Sequence, residues 1–139
     1  MDYETVPAPD FGRALRGMGL NLLVADVRRS VAFLETVFGM TAHRVSADFA
    51  ILVYHGQPFQ LHADGTFAAH PLFALLPEAG PRGAGAELRL YETDPDQAAA
   101  RAEEAGGMVV QPPADKPHGL RETVILDPDG YAWVPSRRI

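Results

Sequence analysis

The sequence contains no cysteine in its 139 residues. Disulfide bonds, thiolate nucleophiles, cysteine-ligated zinc and iron–sulfur clusters are therefore excluded. No apolar run approaches the roughly 18 residues that a membrane span requires, and residues 1–5 lack the basic and apolar regions of a secretory signal. We therefore expect a cytoplasmic protein that does not act at a membrane.

Positive charge is also scarce. The chain has 12 lysines and arginines against 18 aspartates and glutamates, which gives a formal net charge of −6. Because nucleic-acid-binding surfaces cluster lysine and arginine, we expect no nucleic-acid partner. The motifs Gly-x-Ser-x-Gly, Gly-x-x-x-x-Gly-Lys-Ser/Thr, Gly-x-Gly-x-x-Gly and His-Glu-x-x-His are missing too, which removes the best-known sequence signatures of hydrolases, nucleotide-binding proteins and zinc proteases.

Hydrophobic residues make up 47% of the chain, enough for one globular domain with a substantial core. The 13 glycines and 12 prolines predict many short elements separated by turns. We expect a surface leader over residues 1–16, one domain over 17–136, and within it a linker over 64–85 that carries one short helical turn.

The first half of the domain predicts a strand, a helix and three more strands. Asp26 is placed as the N-cap of the helix, Gly39 as its C-terminal cap, and the apolar positions between them recur at helical spacing. The predicted strands are Met18–Val24, Thr41–Ser46, Phe49–Tyr54 and Pro58–Ala63, with a hairpin turn at residues 55–57.

The second half repeats this pattern. Asp94 caps a predicted helix that runs to the glycines at 106–107, and the predicted strands are Glu87–Tyr91, Met108–Gln111, Glu122–Leu126 and Tyr131–Pro135. The spacing from Asp26 to Gly39 equals the spacing from Asp94 to Gly107, an offset of 68 residues. We interpret this as a duplicated β-α-β-β-β unit, with one module at about 17–63 and the other at about 86–136.

These motifs carry a resemblance that covers nearly the whole chain. An Asp-capped helix, its Phe38-Gly39-Met40 end, and a second copy that closes in Asp127-Pro128-Asp129-Gly130-Tyr131 are similar to the vicinal oxygen chelate superfamily of glyoxalase I, bleomycin-resistance proteins and extradiol dioxygenases. The resemblance implies an α+β fold of two βαβββ modules, whose half-open curved sheet surrounds a cavity, and a homodimer. In metal-dependent members each module supplies two metal ligands, from its first and last strands.

Counting along these strands places the four metal-ligand positions of the family at Gly19, Gln60, Glu87 and Val134. Two of the four have no donor atom, and hard divalent cations need several oxygen or imidazole ligands. We therefore expect no tightly bound metal and no other cofactor. The alternative is a displaced divalent-metal site built from Gln60, His62 and Glu87.

Strand periodicity within this fold gives the expected lining of the cavity. The residues expected to bind a ligand are Asn21, Gln60, His62, Glu87, Arg89, Tyr91, His118 and Arg121. Glu87 and His62 are the candidates for catalysis, although Glu87 is also spaced to form an ion pair with Arg89 on the same strand face. Trp133 is expected in the core on the helix side, and the alternative is an aromatic platform for a ligand.

The loop at residues 115–122 has two interpretations. Arg121 and Glu122 either anchor the following strand through charge-assisted hydrogen bonds, or the loop forms a rim where His118 and Arg121 meet a ligand. The function that we expect is binding of a small organic ligand in the cavity, as in bleomycin-resistance proteins. The alternative is a divergent metal-dependent lyase, isomerase or dioxygenase of the same superfamily.

Overall fold

A computed structural model describes residues 1–67, 70–78, 80–83 and 85–139 of the chain. The helices and strands are α1 Ala8–Ala14, β1 Asn21–Val24, α2 Val27–Phe38, β2 Thr41–His43, β3 Phe49–Tyr54, β4 Gln57–Ala63, β5 Leu88–Leu90, α3 Pro95–Ala102, β6 Met108–Asp115, β7 Leu120–Leu126 and β8 Ala132–Arg138. The predicted linker holds short 3₁₀ helices at Asp64–Phe67 and Phe73–Leu75, and positions 68, 69, 79 and 84 of that linker lie outside the described residues.

The chain consists of two compact units. Unit 1 comprises Met1–Val31 and Met40–Ala74, and unit 2 comprises Ala32–Gly39 and Leu75–Ile139. Unit 1 holds a sheet of order β1-β4-β3-β2, and unit 2 holds a sheet of order β5-β8-β7-β6. In both sheets the first and last strands of the module pair in parallel and the other pairs are antiparallel. The α+β fold of two βαβββ modules is therefore confirmed.

Helix α2 forms where its sequence predicts. Asp26 Oδ1 accepts a hydrogen bond of 3.0 Å from the amide of Arg29, which satisfies one of the unpaired donors at the helix N-terminus. Gly39 has a φ of 68°, the left-handed conformation expected just after a helix. The apolar stripe of α2 is buried, including Val27, Val31, Leu34 and Phe38.

Helix α3 is shorter than predicted, because it ends at Ala102 rather than near Gly106. The side chain of Asp94 caps it by accepting hydrogen bonds from the amides of Asp96 and Gln97. Ala98 and Ala102 are buried, so the small residues of this helix allow it to approach its sheet closely.

The predicted leader contains a helix that the sequence pattern did not indicate. Helix α1 buries Phe11, and the guanidinium of Arg44 donates hydrogen bonds to the backbone oxygens of Tyr3, Glu4 and Val6. These contacts attach residues 3–6 to the end of β2 within unit 1.

Among the described residues, no helix is long and apolar enough to cross a membrane.

Strand β6 differs most from its prediction. It continues through Pro112 and Pro113 to Asp115, whereas the sequence predicted a loop after Gln111. Proline is tolerated there because β6 is an edge strand, and its register with β7 shifts between Val109 and Ala114. Strand β8 likewise runs past its predicted end to Arg138.

Candidate functional site

The two faces of the unit 2 sheet are fixed by the pairing of β5 with β8. Leu88 lies opposite Trp133 and Arg89 lies opposite Val134, so neighbouring residues along β5 project to opposite faces. Trp133 is only 1% exposed. Its ring lies 5.7 Å from that of Phe38, and its indole N–H donates a 3.0 Å hydrogen bond to Asp127. Trp133 is therefore a core residue on the helix side, and the alternative of an exposed aromatic platform is wrong.

The opposite face of this sheet carries a group of charged side chains. The Arg89 guanidinium donates hydrogen bonds to Glu87 Oε2 at 3.0 Å and to Glu122 Oε2. His118 Nε2 lies 3.4 Å from the same Glu122 oxygen, and the Arg89 guanidinium lies 5.8 Å from the centroid of the Tyr91 ring. We call these five residues the Arg89 cluster. The ion pair between Glu87 and Arg89 that the sequence predicted is confirmed.

Burial within the Arg89 cluster is uneven. The side chains of Arg89 and Glu122 are 24% and 11% exposed, whereas those of Glu87 and His118 are 55% and 53% exposed. Burial acts to raise the pKa of Glu122, but hydrogen bonding and charge from Arg89 outweigh it, so this pKa lies below its ordinary value. The hydrogen bond from Arg89 to Glu122 likewise raises the pKa of Arg89. The cluster thus has a largely buried, ionised centre and an accessible rim.

Ser136 lies on the same sheet face and was absent from the predicted site. It pairs with Glu122 in the register of β7 and β8 and follows Val134, the partner of Arg89, by two residues. Arg89 is on β5 and Glu122 is on β7, and β8 lies between these two strands. The hydrogen bond from Arg89 to Glu122 therefore crosses over β8 next to Ser136. The Ser136 hydroxyl is fully buried and has no hydrogen-bond partner among the described residues.

Arg121 lies on the other face of the sheet, away from the Arg89 cluster. Its guanidinium donates two hydrogen bonds to Asp96 of α3, at 2.7 and 2.8 Å, and one to Asp115 at 3.1 Å. Hydrogen bonding to Asp96, and then to Asp115, raises the pKa of Arg121. These contacts favour the anchoring interpretation of Arg121. Glu122 and His118 lie instead on the face that carries Arg89.

Three of the predicted residues lie in unit 1, on one face of its sheet. Asn21 pairs with Gln60 in the parallel register of β1 and β4, and His62 follows two residues later on β4. The His62 ring lies 5.1 Å from the ring of Phe49. Partial burial, together with the nearby His70, lowers the pKa of His62, which favours a neutral imidazole. This face combines amide, imidazole and aromatic groups.

The donor set at the family's metal positions does not fit a divalent cation. Gly19 has no side chain, the valine at 134 is fully buried and apolar, and the Glu87 carboxylate is already paired with Arg89. Within the part of the chain that the structure describes, no three histidines, aspartates or glutamates are grouped so that they could hold a metal ion. Of the displaced trio, Gln60 and His62 belong to unit 1 and Glu87 belongs to unit 2.

Unit 2 also contains an open cleft that the sequence did not predict. Its volume is about 460 Å³, and it is lined by residues 77–78, 80–82, 106–108 and 126–130. At one wall of the cleft, the backbone amide of Arg82 donates a hydrogen bond to the oxygen of Asp129, and the amide of Gly83 donates one to the oxygen of Gly130. None of its lining residues belongs to the Arg89 cluster, so the two features are separate.

Comparisons with known proteins agree with this architecture. No curated protein matches the sequence. Among solved structures, a hypothetical protein SA1046 from S. aureus is 21% identical, with a TM-score of 0.72 over 92% of this chain and 98% of that one. A glyoxalase/bleomycin resistance protein/dioxygenase family enzyme from Burkholderia phytofirmans PsJN is 19% identical, with a TM-score of 0.70 over 86% and 96%.

TioX from Micromonospora sp. ML1 is 26% identical, with a TM-score of 0.63 over 89% of this chain and 99% of that one. The sequence model of the glyoxalase/bleomycin resistance protein/dioxygenase superfamily matches residues 19–134, which is most of the chain. The chain therefore belongs to the glyoxalase/bleomycin resistance protein/dioxygenase superfamily.

Proposed function

We propose that this protein binds a small organic ligand on the sheet face that carries the Arg89 cluster, without a tightly bound metal ion. The observation that carries the proposal is the pairing of Glu87 with Arg89. This carboxylate stands at a position where metal-dependent members of the superfamily place a ligand of the metal. Here it is partnered by a guanidinium, which competes with any cation for the same oxygens.

The Arg89 cluster has the composition of a ligand-binding surface. Such sites combine apolar or aromatic area with a few polar groups held in fixed positions. Tyr91 is 55% exposed, while Glu122 and Arg89 hold each other in place and are themselves largely buried. A ligand can therefore lie on Tyr91 and form hydrogen bonds with groups that are already oriented.

Equilibrium dialysis tests the metal part of the proposal. The protein is dialysed separately against Ni²⁺, Co²⁺, Zn²⁺, Mn²⁺ and Fe²⁺, and the retained metal is measured per chain. We expect substoichiometric retention, and the same in Glu87→Gln. Tight binding of one ion per chain would contradict the proposal. Its loss in Glu87→Gln or His62→Ala would favour the alternative of a divergent metal-dependent lyase, isomerase or dioxygenase that uses Gln60, His62 and Glu87.

Mass spectrometry of retained small molecules tests the binding part. Protein purified from its native cells is denatured, and the released compounds are compared between the unaltered chain, Tyr91→Ala and the control Glu104→Gln. Glu104 is an exposed residue of the same unit outside the cluster. We expect a compound that the unaltered chain and the control retain and Tyr91→Ala loses. Equal retention by all three would place the ligand elsewhere.

The expected homodimer and the cytoplasmic location are further parts of this proposal. Sedimentation velocity tests the first, since a dimer has twice the chain mass of 15.0 kDa. A single species at the mass of one chain, at the concentration found in cells, would contradict it. Cell fractionation tests the location.

A further inference from the structure

We infer that the ligand of the Arg89 cluster carries a positively charged amidine, guanidine or amine group attached to an aromatic or apolar body. The inference deepens the proposed function and rests on it. Its first support is the charge balance of the cluster: Glu87 and Glu122 share the single guanidinium of Arg89. The two carboxylates therefore carry one more negative charge than this guanidinium neutralises.

Each of the two carboxylates of the cluster accepts hydrogen bonds through only one of its oxygens, Oε2. Both hydrogen bonds from Arg89 go to Oε2 atoms, and the contact of His118 also goes to Oε2 of Glu122. Within the described residues, Oε1 of Glu87 and Oε1 of Glu122 have no hydrogen-bond partner. Ionised carboxylate oxygens accept hydrogen bonds and cannot donate them, so a ligand group that binds to these atoms has to be a donor. A charged N–H group forms the strongest hydrogen bond of this kind.

The buried hydroxyl of Ser136 is a second and independent observation at the same place. It is fully buried, projects to the face of the Arg89–Glu122 pair and lacks a partner among the described residues. Buried polar groups without partners are rare in folded proteins and are costly, because they have lost their hydrogen bonds to water. An unpartnered buried hydroxyl beside the Arg89–Glu122 pair therefore favours a polar ligand group at this place, with that pair kept intact.

Tyr91 accounts for the second half of the ligand description. Its ring already lies 5.8 Å from the Arg89 guanidinium, and more than half of the residue is exposed. An aromatic face attracts cations and stacks on planar groups. The aromatic body of the ligand can therefore stack on the exposed part of the Tyr91 ring, beside Arg89, and its N–H groups can be directed toward the glutamate oxygens.

Other charged groups lie near the cluster. Arg121, Asp115 and Asp96 neutralise one another on the opposite face of the sheet. Arg138 projects to the same face as Ser136, two residues farther along β8, but it is exposed and forms no ion pair within the described residues. If Arg138 and Arg89 dominated the face instead, anions would bind there, and probes of different charge separate the two outcomes.

Three probes of equal shape and different charge test the inference: benzamidine, benzamide and benzoate. Each is titrated into the full-length chain, and binding is followed by backbone amide shifts in ¹H–¹⁵N NMR spectra. We expect benzamidine to shift signals of residues 87–91, 120–122 and 136. We expect its affinity to exceed that of neutral benzamide by about tenfold, since charge-assisted hydrogen bonds are roughly twice as strong as neutral ones.

Matched variants identify the carboxylates that are responsible. Glu87→Gln keeps the shape and is 55% exposed in the native chain, so the fold should be retained, and benzamidine affinity should fall about 3- to 10-fold. Glu104→Gln, which removes one exposed glutamate outside the cluster, should leave the affinity unchanged. Equal losses in both variants would show that only net charge matters and would overturn the inference.

The failure of this inference can be distinguished from the failure of the proposed function. Tighter binding of benzoate or benzamide than of benzamidine at the same residues would overturn the inference and leave a ligand site on this face. Binding of none of the three would also overturn the inference, and the retained small molecules of the Tyr91 experiment would then decide the proposed function alone.

Discussion

Replacing Arg89 by methionine should destabilise the protein, because it leaves the Glu122 carboxylate buried without its main counter-charge. Breaking a buried ion pair by removing one partner costs about 3–5 kcal/mol. Here the two side chains keep 24% and 11% of their exposure, and some water still reaches them. We therefore expect a loss of about 2–4 kcal/mol in the free energy of unfolding, measured by urea denaturation at pH 7.

The double variant Arg89→Met, Glu122→Met shows whether this loss is electrostatic. Replacing a buried pair by apolar residues of similar volume is often nearly neutral. We expect the free energy of unfolding of the double variant to lie within about 1.5 kcal/mol of that of the native chain. Glu122→Met alone should cost about 1 kcal/mol or more. Arg89 keeps Glu87 as a partner in that variant, so its charge is not left unpaired. Arg101→Met, an exposed position in the last turn of α3, is the control and should change stability little.

The pH dependence of these variants has a definite sign. In the native chain the pKa of Glu122 is below its ordinary value of 4.5. Its ion pair therefore contributes stability that is present above pH 4.5 and is lost as the pH falls through the lowered pKa. In Arg89→Met the lowering effect of Arg89 on the pKa of Glu122 is lost while burial still acts to raise it, so the penalty should be largest at pH 7 and should shrink below pH 4.5. Two results would show that lost charge pairing does not cause the destabilisation of Arg89→Met. One is a loss of unfolding free energy that does not change with pH, and the other is a larger loss in the double variant than in Arg89→Met.

Two further predictions concern the turn between β7 and β8. Asp127→Asn should lower the free energy of unfolding by about 1–3 kcal/mol in urea. The Asp127 carboxylate accepts from the Trp133 N–H through Oδ2 and from the amides of Asp129 and Tyr131 through Oδ1, whereas asparagine has one acceptor oxygen and would turn its NH₂ group toward one of these sets of donors. An unchanged midpoint would show that these hydrogen bonds contribute nothing. Gly130→Ala should cost clearly more than Gly119→Ala in the same assay, although both glycines have positive φ angles. A Cβ at Gly130 would lie 2.4 Å from the Cα atom of Pro81, whereas at Gly119 it meets nothing within 4 Å; equal costs would contradict this close approach.

Much of the fold could be predicted because its strongest signals are local. The capping aspartates at 26 and 94 and the glycine at 39 act within one turn of their own helix. The apolar stripe of α2 and the repeat of the module at an offset of 68 are also visible in the sequence. The course of β6 through Pro112 could not be foreseen, because tolerance of proline depends on the strand's place at the sheet edge.

The pairing at the centre of the candidate site was predictable where the two residues belong to one strand. Glu87 and Arg89 are two residues apart, and their pairing follows from strand periodicity. The role of Glu122 depends on β8 lying between β5 and β7, which is a long-range fact of topology. Ser136 was missed because the sequence pattern ends β8 at Pro135, although the strand continues to Arg138. The signal that could have found it is the alternation from Val134 to Ser136.

A crystal structure of the full-length protein grown with benzamidine and without a chelator would show directly what the Arg89 cluster binds. We predict density for a planar amidine against the Tyr91 ring, with its nitrogen atoms within hydrogen-bond distance of Glu87 or Glu122, and with Arg89 still paired to Glu122. A metal ion coordinated by Glu87 would contradict the proposed function, and a sheet face that binds no benzamidine at saturating concentration would overturn the inference of a cationic ligand.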